Sequence, residues 1–156
     1  MSLSPTVLDL QPSAGGFRAR SFDTQLWGFD KQANFTKRQD ELIRIAAMAP
    51  AFKRKTARLN LARFYLARDM AAEAKAVLDV TLADKKGSED VTGNVLRAVA
   101  DLGLARPTDA LKELSNPQIG NQLDAPIWRA VADARLSKWT EAHAAFKTVD
   151  GAISAL

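Results

Sequence analysis

Few side chains of this chain have the types and spacing that catalysis requires. Its 156 residues include one histidine, His143, and no cysteine. Thiolate chemistry, disulfides and cysteine-based zinc sites are therefore excluded, and a lone imidazole cannot build a histidine-rich metal site. Gly15 and Gly16 lack the following lysine and the strand–helix context of a phosphate-binding loop. We therefore expect that the protein is not an enzyme, and that it has no catalytic residue, no cofactor and no metal.

Positive charge is concentrated in residues 37–68. This stretch carries +7, because nine lysines and arginines stand against only Asp40 and Glu41, whereas the whole chain carries +4. A basic stretch of this kind attracts acidic proteins, nucleic acid or anionic lipid. Its simplest interpretation is a solvated helix face. The functional alternative is nucleic-acid or acidic-surface binding through residues 37–68, with a basic patch formed by Lys53, Arg54, Lys55 and Arg58.

Composition places the chain among ordinary globular domains, at 47% hydrophobic and 26% charged residues. No apolar run approaches the roughly 18–20 residues that a membrane-spanning helix needs, so we expect no membrane span. The first residues lack the basic and apolar regions of a secretory signal. Cytoplasm and periplasm fit the absence of cysteine equally well, and the compartment stays open.

Residues 1–35 differ from the rest of the chain. Two prolines and a Gly-Gly pair predict an extended or irregular segment. Five of the eleven aromatic residues nevertheless fall within residues 17–35, and a disordered tail rarely carries so many. We therefore expect this segment to pack on the domain or on another molecule. The five are Phe17, Phe22, Trp27, Phe29 and Phe35.

Helical patterns fill the chain from Thr36 onward, without a strand signal, and predict an all-α fold. Thr36 and Gln39 have the spacing of a capping box, and Pro50 ends that helix. Asp69 is predicted to cap a later helix, and Pro107 suits the first turn of another. The apolar face of the first helix is expected to bury Leu42, Ile43, Ala46 and Ala47 or Met48.

A repeat organises this helical part. A small residue followed four positions later by a large apolar one recurs at intervals of 36 and 32 residues, with another alanine twelve positions upstream each time. The three sets are Ala62/Ala74/Leu78, Ala98/Ala110/Leu114 and Ala130/Ala142/Phe146. The word RAVAD occurs twice, from Arg97 and from Arg129. Small residues let helices approach closely, so we interpret the duplication as shared packing within stacked helical hairpins.

This pattern resembles the tetratricopeptide repeat (TPR) family. The best match is LARFYLARDMAAEAKAVLDVTL, in which Ala62, Tyr65 and Ala74 occupy the places of the family's small, aromatic and alanine positions. Asp101 and Asp133 stand where the first unit has Tyr65, so the other two units are degenerate. The resemblance implies a right-handed α-α superhelix of about three hairpins within residues 36–156. The hairpins would span residues 56–88, 92–122 and 124–153.

In function, the resemblance implies a non-enzymatic protein–protein interaction module, a scaffold or adaptor. The first helix of each hairpin would line a concave groove for a peptide or helix of a partner protein, with its arginines selecting acidic flanks. The implied groove residues are Leu59, Arg63, Leu66, Val95, Val99, Leu102, Ile127, Val131 and Arg135. The alternative is that these residues are core, covered by another helix or by the aromatic N-terminal segment.

Two further expectations concern the end of the array. Trp128 and Trp139 are expected to pack in the core or between repeats rather than against a ligand.

A repeat array normally finishes with a polar capping helix, whereas Ile153 and Leu156 would lie near an apolar end face. The chain is then a piece of a longer protein, or a second copy pairs with that face to give a homo-oligomer.

Overall fold

A computed structural model describes residues 23–83, 90–120 and 124–154. These ranges contain helices and no strand, which confirms the all-α prediction for the described part of the chain. None of the helices described is long and apolar enough to cross a membrane. In chain order they are α1 (Thr24–Gln32), α2 (Phe35–Met48), α3 (Ala51–Ala67), α4 (Ala71–Thr81), α5 (Val91–Gly103), α6 (Pro107–Leu114), α7 (Ala125–Arg135) and α8 (Trp139–Ser154).

The prediction of an irregular segment up to residue 35 is wrong for α1. Asp23 begins this helix: its carboxylate accepts hydrogen bonds from the backbone N–H groups of Gln25 and Leu26, at 2.9 and 3.1 Å. This N-terminal cap stabilises a first turn that the neighbouring prolines and glycines obscured in the sequence. Residues 1–22, with Phe17 and Phe22, lie outside the described residues.

Two N-terminal caps predicted from the sequence, at Thr36 and Asp69, are not formed. Asn34, rather than Thr36, caps α2 by accepting the backbone N–H of Lys37 at 3.0 Å. Gln39 is directed elsewhere and donates from Nε2 to the Tyr65 hydroxyl at 3.1 Å. Asp69 makes no cap, because it lies in the left-handed region with φ of 59°. Pro50 does end α2, but α3 begins at once with Ala51, before the predicted start of the first unit at residue 56.

Three hairpins, α3–α4, α5–α6 and α7–α8, share one type of link. In each, the first helix is followed by a non-glycine residue with φ near +60°, and the next backbone N–H bonds to the carbonyl five residues earlier. The left-handed residues are Asp69, Ala105 and Ser137 (59°, 58° and 60°). The bonds run from Met70 to Tyr65, Arg106 to Asp101 and Lys138 to Asp133 (2.9, 2.8 and 2.9 Å). The same C-terminal capping geometry therefore recurs at the 36- and 32-residue spacings of the sequence repeat.

The small residues of the repeat lie at the helix contacts. All are 0–3% exposed: Ala62, Ala98, Ala130, Ala74, Ala110 and Ala142. RAVAD contributes a second buried alanine in each copy, Ala100 and Ala132. The interpretation of RAVAD as a packing element is therefore confirmed. Leu78 and Leu114 are fully buried, whereas Phe146 is 45% exposed, since in the described residues no further hairpin covers α8.

The core divides along the array into two clusters that meet at α5. One cluster joins α2, α3, α4 and α5 around Phe64, Leu78 and Leu96. The other joins α5, α6 and α7 and includes Val95 and Leu114. Because successive hairpins bury their faces on one another, the fold has the serial core that is typical of helical repeats.

Gly103 provides a direct test of this close packing. A Cβ placed on Gly103 would lie 2.6 Å from the Cβ of Ala71, whereas one on Gly28 in α1 would meet nothing within 4 Å. We expect Gly103→Ala to lower the free energy of unfolding by about 1–3 kcal/mol through overpacking. Gly28→Ala should instead raise it by about 0.5–1 kcal/mol through helix propensity. Urea denaturation of both variants measures the difference, and a Gly103→Ala protein as stable as the parent would contradict the close approach.

Candidate interaction surfaces

The predicted groove is open over only part of its length. Five of its nine residues are buried core residues, namely Leu59, Leu66, Val95, Val99 and Leu102. Arg63, Ile127 and Val131 are partly exposed, and Arg135 is exposed. Leu66, Val99 and Leu102 nevertheless line, together with Val131 and Arg135, a cleft that stays open beside α1. Five of the nine predicted residues therefore share one open surface. Leu59 and Val95 do not line this cleft and are core residues.

Helix α1 covers part of the predicted groove. It packs against α3. Trp27 of α1 and Phe35, the first residue of α2, pack on the same cluster as Leu59 and Leu66. The expectation that the aromatic N-terminal segment packs on the domain is confirmed for these two aromatic residues. Phe29, in contrast, is 58% exposed and stacks under the Arg38 guanidinium, whose carbon lies 5.3 Å from the ring centroid.

Arg68, at the end of α3, fastens the last turn of α1. Its Nε donates to the Asp30 carbonyl at 2.8 Å, and its Nη2 donates to the Ala33 carbonyl. The guanidinium carbon also lies 5.8 Å from the ring centroids of Phe35 and Phe64. A cation at these carbonyls complements the negative end of the α1 dipole, so one side chain joins α1, α2 and α3.

A buried ion pair makes a second connection between α1 and α2. The Nε of Arg38 lies 2.9 Å from the carboxylate of Asp30, which is 2% exposed, and its Nη1 lies 3.0 Å from Glu41. Burial disfavours the charged guanidinium, but the bonds to Asp30 and Glu41 outweigh it and hold the pKa of Arg38 above its ordinary value. The charge on Asp30 is therefore compensated where α1 meets α2.

A cleft of about 360 Å³ remains open beside α1. Trp27 forms one wall, and first-helix residues of the hairpins, with Trp128, Val131 and Arg135, form the other. The Arg135 guanidinium donates to the Leu102 carbonyl. Trp128 packs on both core clusters, as expected, but Trp139 is 67% exposed and its predicted packing is wrong. Two indole rings and one cation thus border the open part of the predicted groove.

Arg63 has a more acidic surrounding than the sequence suggested. Its Nη1 donates to Asn60 Oδ1 at 2.9 Å. Burial lowers the pKa of its guanidinium, and the carboxylates of Asp90, Asp23 and Asp124 act in the opposite direction. These carboxylates belong to the residues that precede α5, α1 and α7. Since three acids of the chain already act on Arg63, it is a poor selector for acidic ligands.

The predicted basic patch is exposed on the first half of α3, except that Arg58 is partly buried. Lys55 is not an isolated charge, because its Nζ lies 2.5 Å from Oδ2 of Asp90. The Nζ of Lys53 lies 5.7 Å from the centroid of the Phe52 ring. Arg54 donates to the Ala49 carbonyl at 3.4 Å. The patch is therefore interleaved with an exposed aromatic ring and is partly neutralised at Lys55.

Sequence periodicity missed the apolar character of the same region. Leu42 and Ala46 of α2 are buried as predicted, but Ile43 and Met48 are 44% and 74% exposed. Ile45 and Phe52 are also exposed, at 42% and 79%. A shallow cleft of about 620 Å³ lies between α2 and α3. Large exposed apolar side chains that share a surface with cations are typical of binding sites.

The described residues place few titratable side chains together. They contain no group of three or more histidine, cysteine, aspartate or glutamate side chains that could hold a metal ion, and His143 is exposed. Asp101 is buried at the contact of α4 and α5, with Lys75 Nζ 3.1 Å from Oδ1. Burial raises the pKa of its carboxyl, and the bond to Lys75 opposes that rise. Asp101 lines none of the clefts described above and joins two helices.

Comparison of the chain with protein-family models, with curated proteins and with solved structures finds no match. Its function must therefore be argued from the two clefts, the charges around them and the repeated hairpin geometry.

The raised pKa of Asp101 gives a pH-dependent expectation. An acid whose pKa is higher in the folded state than in the unfolded state loses stability as the pH rises from its unfolded value through its folded value. Asp101→Asn removes this loss. We expect the stability of the variant relative to the parent to increase from about pH 4 to pH 7. Urea denaturation across this range measures the difference, and a constant or falling difference would argue against a raised pKa.

Removal of the Arg68 guanidinium tests whether this side chain holds α1 on the array. We expect Arg68→Ala to release α1, at a cost of about 1–3 kcal/mol for two lost charge-assisted hydrogen bonds. In hydrogen–deuterium exchange, amides of residues 24–32 should lose protection while those of α5–α8 keep it. Arg106→Ala, at an exposed arginine before α6, is the control and should change neither. Unchanged protection of α1 in Arg68→Ala would refute the fastening role.

Proposed function

We propose that this chain is a non-enzymatic, TPR-like protein–protein interaction module. The observation that carries the proposal is the recurrence of one hairpin link, with a left-handed residue at Asp69, Ala105 and Ser137. Stacked hairpins of this kind form a superhelix, right-handed in the TPR family, whose concave side is built from the first helices. The neighbouring packing of α3 with α5 and of α5 with α7 supports such an arrangement.

The proposed ligand is a helix or peptide of a partner protein, bound in the cleft beside α1. Helix α1 already packs on α3, so this side of the array is compatible with a helical ligand. The cleft continues from α1 towards α7 and offers Trp27 and Trp128 as walls. Tryptophan supplies large contact area at low entropic cost and is enriched at binding hot spots. Arg135 at the cleft favours a ligand with an acceptor group at that end.

Site-specific photocrosslinking tests this proposal. We expect p-benzoylphenylalanine at Val131, which lines the cleft, to form adducts with a protein from a lysate of the source cells. Because the proposed contacts are largely apolar, the adducts should persist after nuclease treatment and at high salt. The same group at Lys112, an exposed residue of α6, is the control. Equal adducts at both positions, or adducts lost with nuclease, would contradict binding of a protein in the cleft.

A further inference from the structure

A second surface, at the start of the array, lies outside the cleft beside α1. It is the cleft between α2 and α3, lined by residues that include Arg44, Ile45, Met48, Lys53, Thr56 and Ala57. Its floor is formed by small residues such as Ala57, which is buried, and its walls by side chains as exposed as Met48 (74%). Nothing in the proposed function uses this cleft, and its test is independent of that proposal.

We propose that the α2–α3 cleft docks an amphipathic helix of another protein, with an apolar stripe flanked by aspartate and glutamate. The lining residues run from position 44 to 48 on α2, through Ala49 and Pro50 in the link, and from 53 to 60 on α3. At 1.5 Å per residue the longer wall extends about 10 Å, which matches two turns of an incoming helix. Two turns present anchors at i, i+3 or i+4, and i+7, the usual pattern of a helix bound in a groove.

Charge specifies the flanks of the incoming helix. Residues 42–68 contain seven lysines and arginines and no aspartate or glutamate. Arg44 and Lys53 line the cleft itself, one on each helix. The chain's own acids compensate neighbours of the cleft, as Asp90 does for Lys55 at 2.5 Å. A helix with acidic flanks would place carboxylates beside Arg44 and Lys53 while its apolar stripe covers Ile45 and Met48.

Other occupants fit this surface less well. Apolar side chains separate the cations of this cleft, and the phosphates of nucleic acid or of lipid headgroups gain nothing from these side chains. Residues 1–22 carry Arg18 and Arg20 against Asp9 alone, so they lack acidic flanks. A second copy of the chain would bring another net charge of +4, which opposes association through a basic surface.

The probe for the test is a fluorescein-labelled synthetic peptide of about 18 residues, long enough to form a helix on the cleft. It carries leucines in a helical stripe with glutamate and alanine elsewhere. Fluorescence anisotropy is measured with the full chain at physiological salt. A scrambled peptide of the same composition tests the stripe, and a peptide with lysine for every glutamate tests the charge. Vesicles containing anionic phospholipid, and single-stranded DNA, are titrated in parallel.

The expected result is binding of the acidic stripe peptide, at least about tenfold tighter than that of the scrambled or lysine peptide. Met48→Asp should weaken it about tenfold or more, and since Met48 is exposed, the fold should be kept. Phe146→Asp, at an exposed aromatic residue on α8, is the matched control and should bind like the parent. The pair Arg44→Glu and Lys53→Glu should reverse the preference towards the lysine peptide, which a merely structural effect would not do.

Several results would overturn the proposal. Equal binding of the striped and scrambled peptides would show that the surface does not recognise an amphipathic helix. An unaltered affinity of Met48→Asp for the striped peptide would show that the peptide does not bind in the α2–α3 cleft. Binding of vesicles or DNA without binding of the peptide would assign the surface to a different class of ligand. Sedimentation that shows dimers of the parent and monomers of Met48→Asp would assign the cleft to a second copy of the chain.

Discussion

The stacked helices depend on close contacts at which the side chains between neighbouring helices are no larger than that of alanine. Ala62, Ala98 and Ala130 on the first helices, and Ala74, Ala110 and Ala142 on the second, are all buried at these contacts. At Gly103 the approach to α4 leaves no room even for a methyl group. Interiors packed at this density transmit small volume changes into helix displacements. The spacing of the stacked hairpins therefore depends on these small residues.

Each of the two clefts lies beside a helix that covers only part of its neighbour. Helix α2 does so at the start of the array, and α1 does so along its side. Helix α1 lies on α3 and covers part of the predicted groove, with Arg68 at its last turn. Helix α2 packs on α3 but leaves Ile45 and Met48 exposed. Apolar surface that stays exposed beside uncompensated cations combines affinity from burial with selectivity from charge.

Periodicity and small-residue spacing were sufficient to predict the helices from α2 onward and the hairpin contacts, since both depend on burial, which a sequence displays directly. Terminal caps were harder. Thr36 and Asp69 have suitable side chains, but Asn34 and a left-handed backbone take those places, because a cap depends on local dihedral angles. Helix α1 was missed because the prolines and the Gly-Gly pair earlier in the chain led to one prediction for all of residues 1–35. Its docking depends on Arg68, 38 residues beyond Asp30. The openness of the groove depended on that same long-range contact, which no local window contains.

The sharing of α5 between both core clusters has a mechanical consequence. Within the part of the chain that the structure describes, the middle hairpin is held from two sides, whereas the hairpin α7–α8 has a neighbour on one side only and leaves Phe146 exposed. Such an array frays from its ends, in the way that a short duplex of nucleic acid opens from its termini. A ligand bound between α2 and α3 would then stabilise one end of the array against local unfolding without contacting its centre.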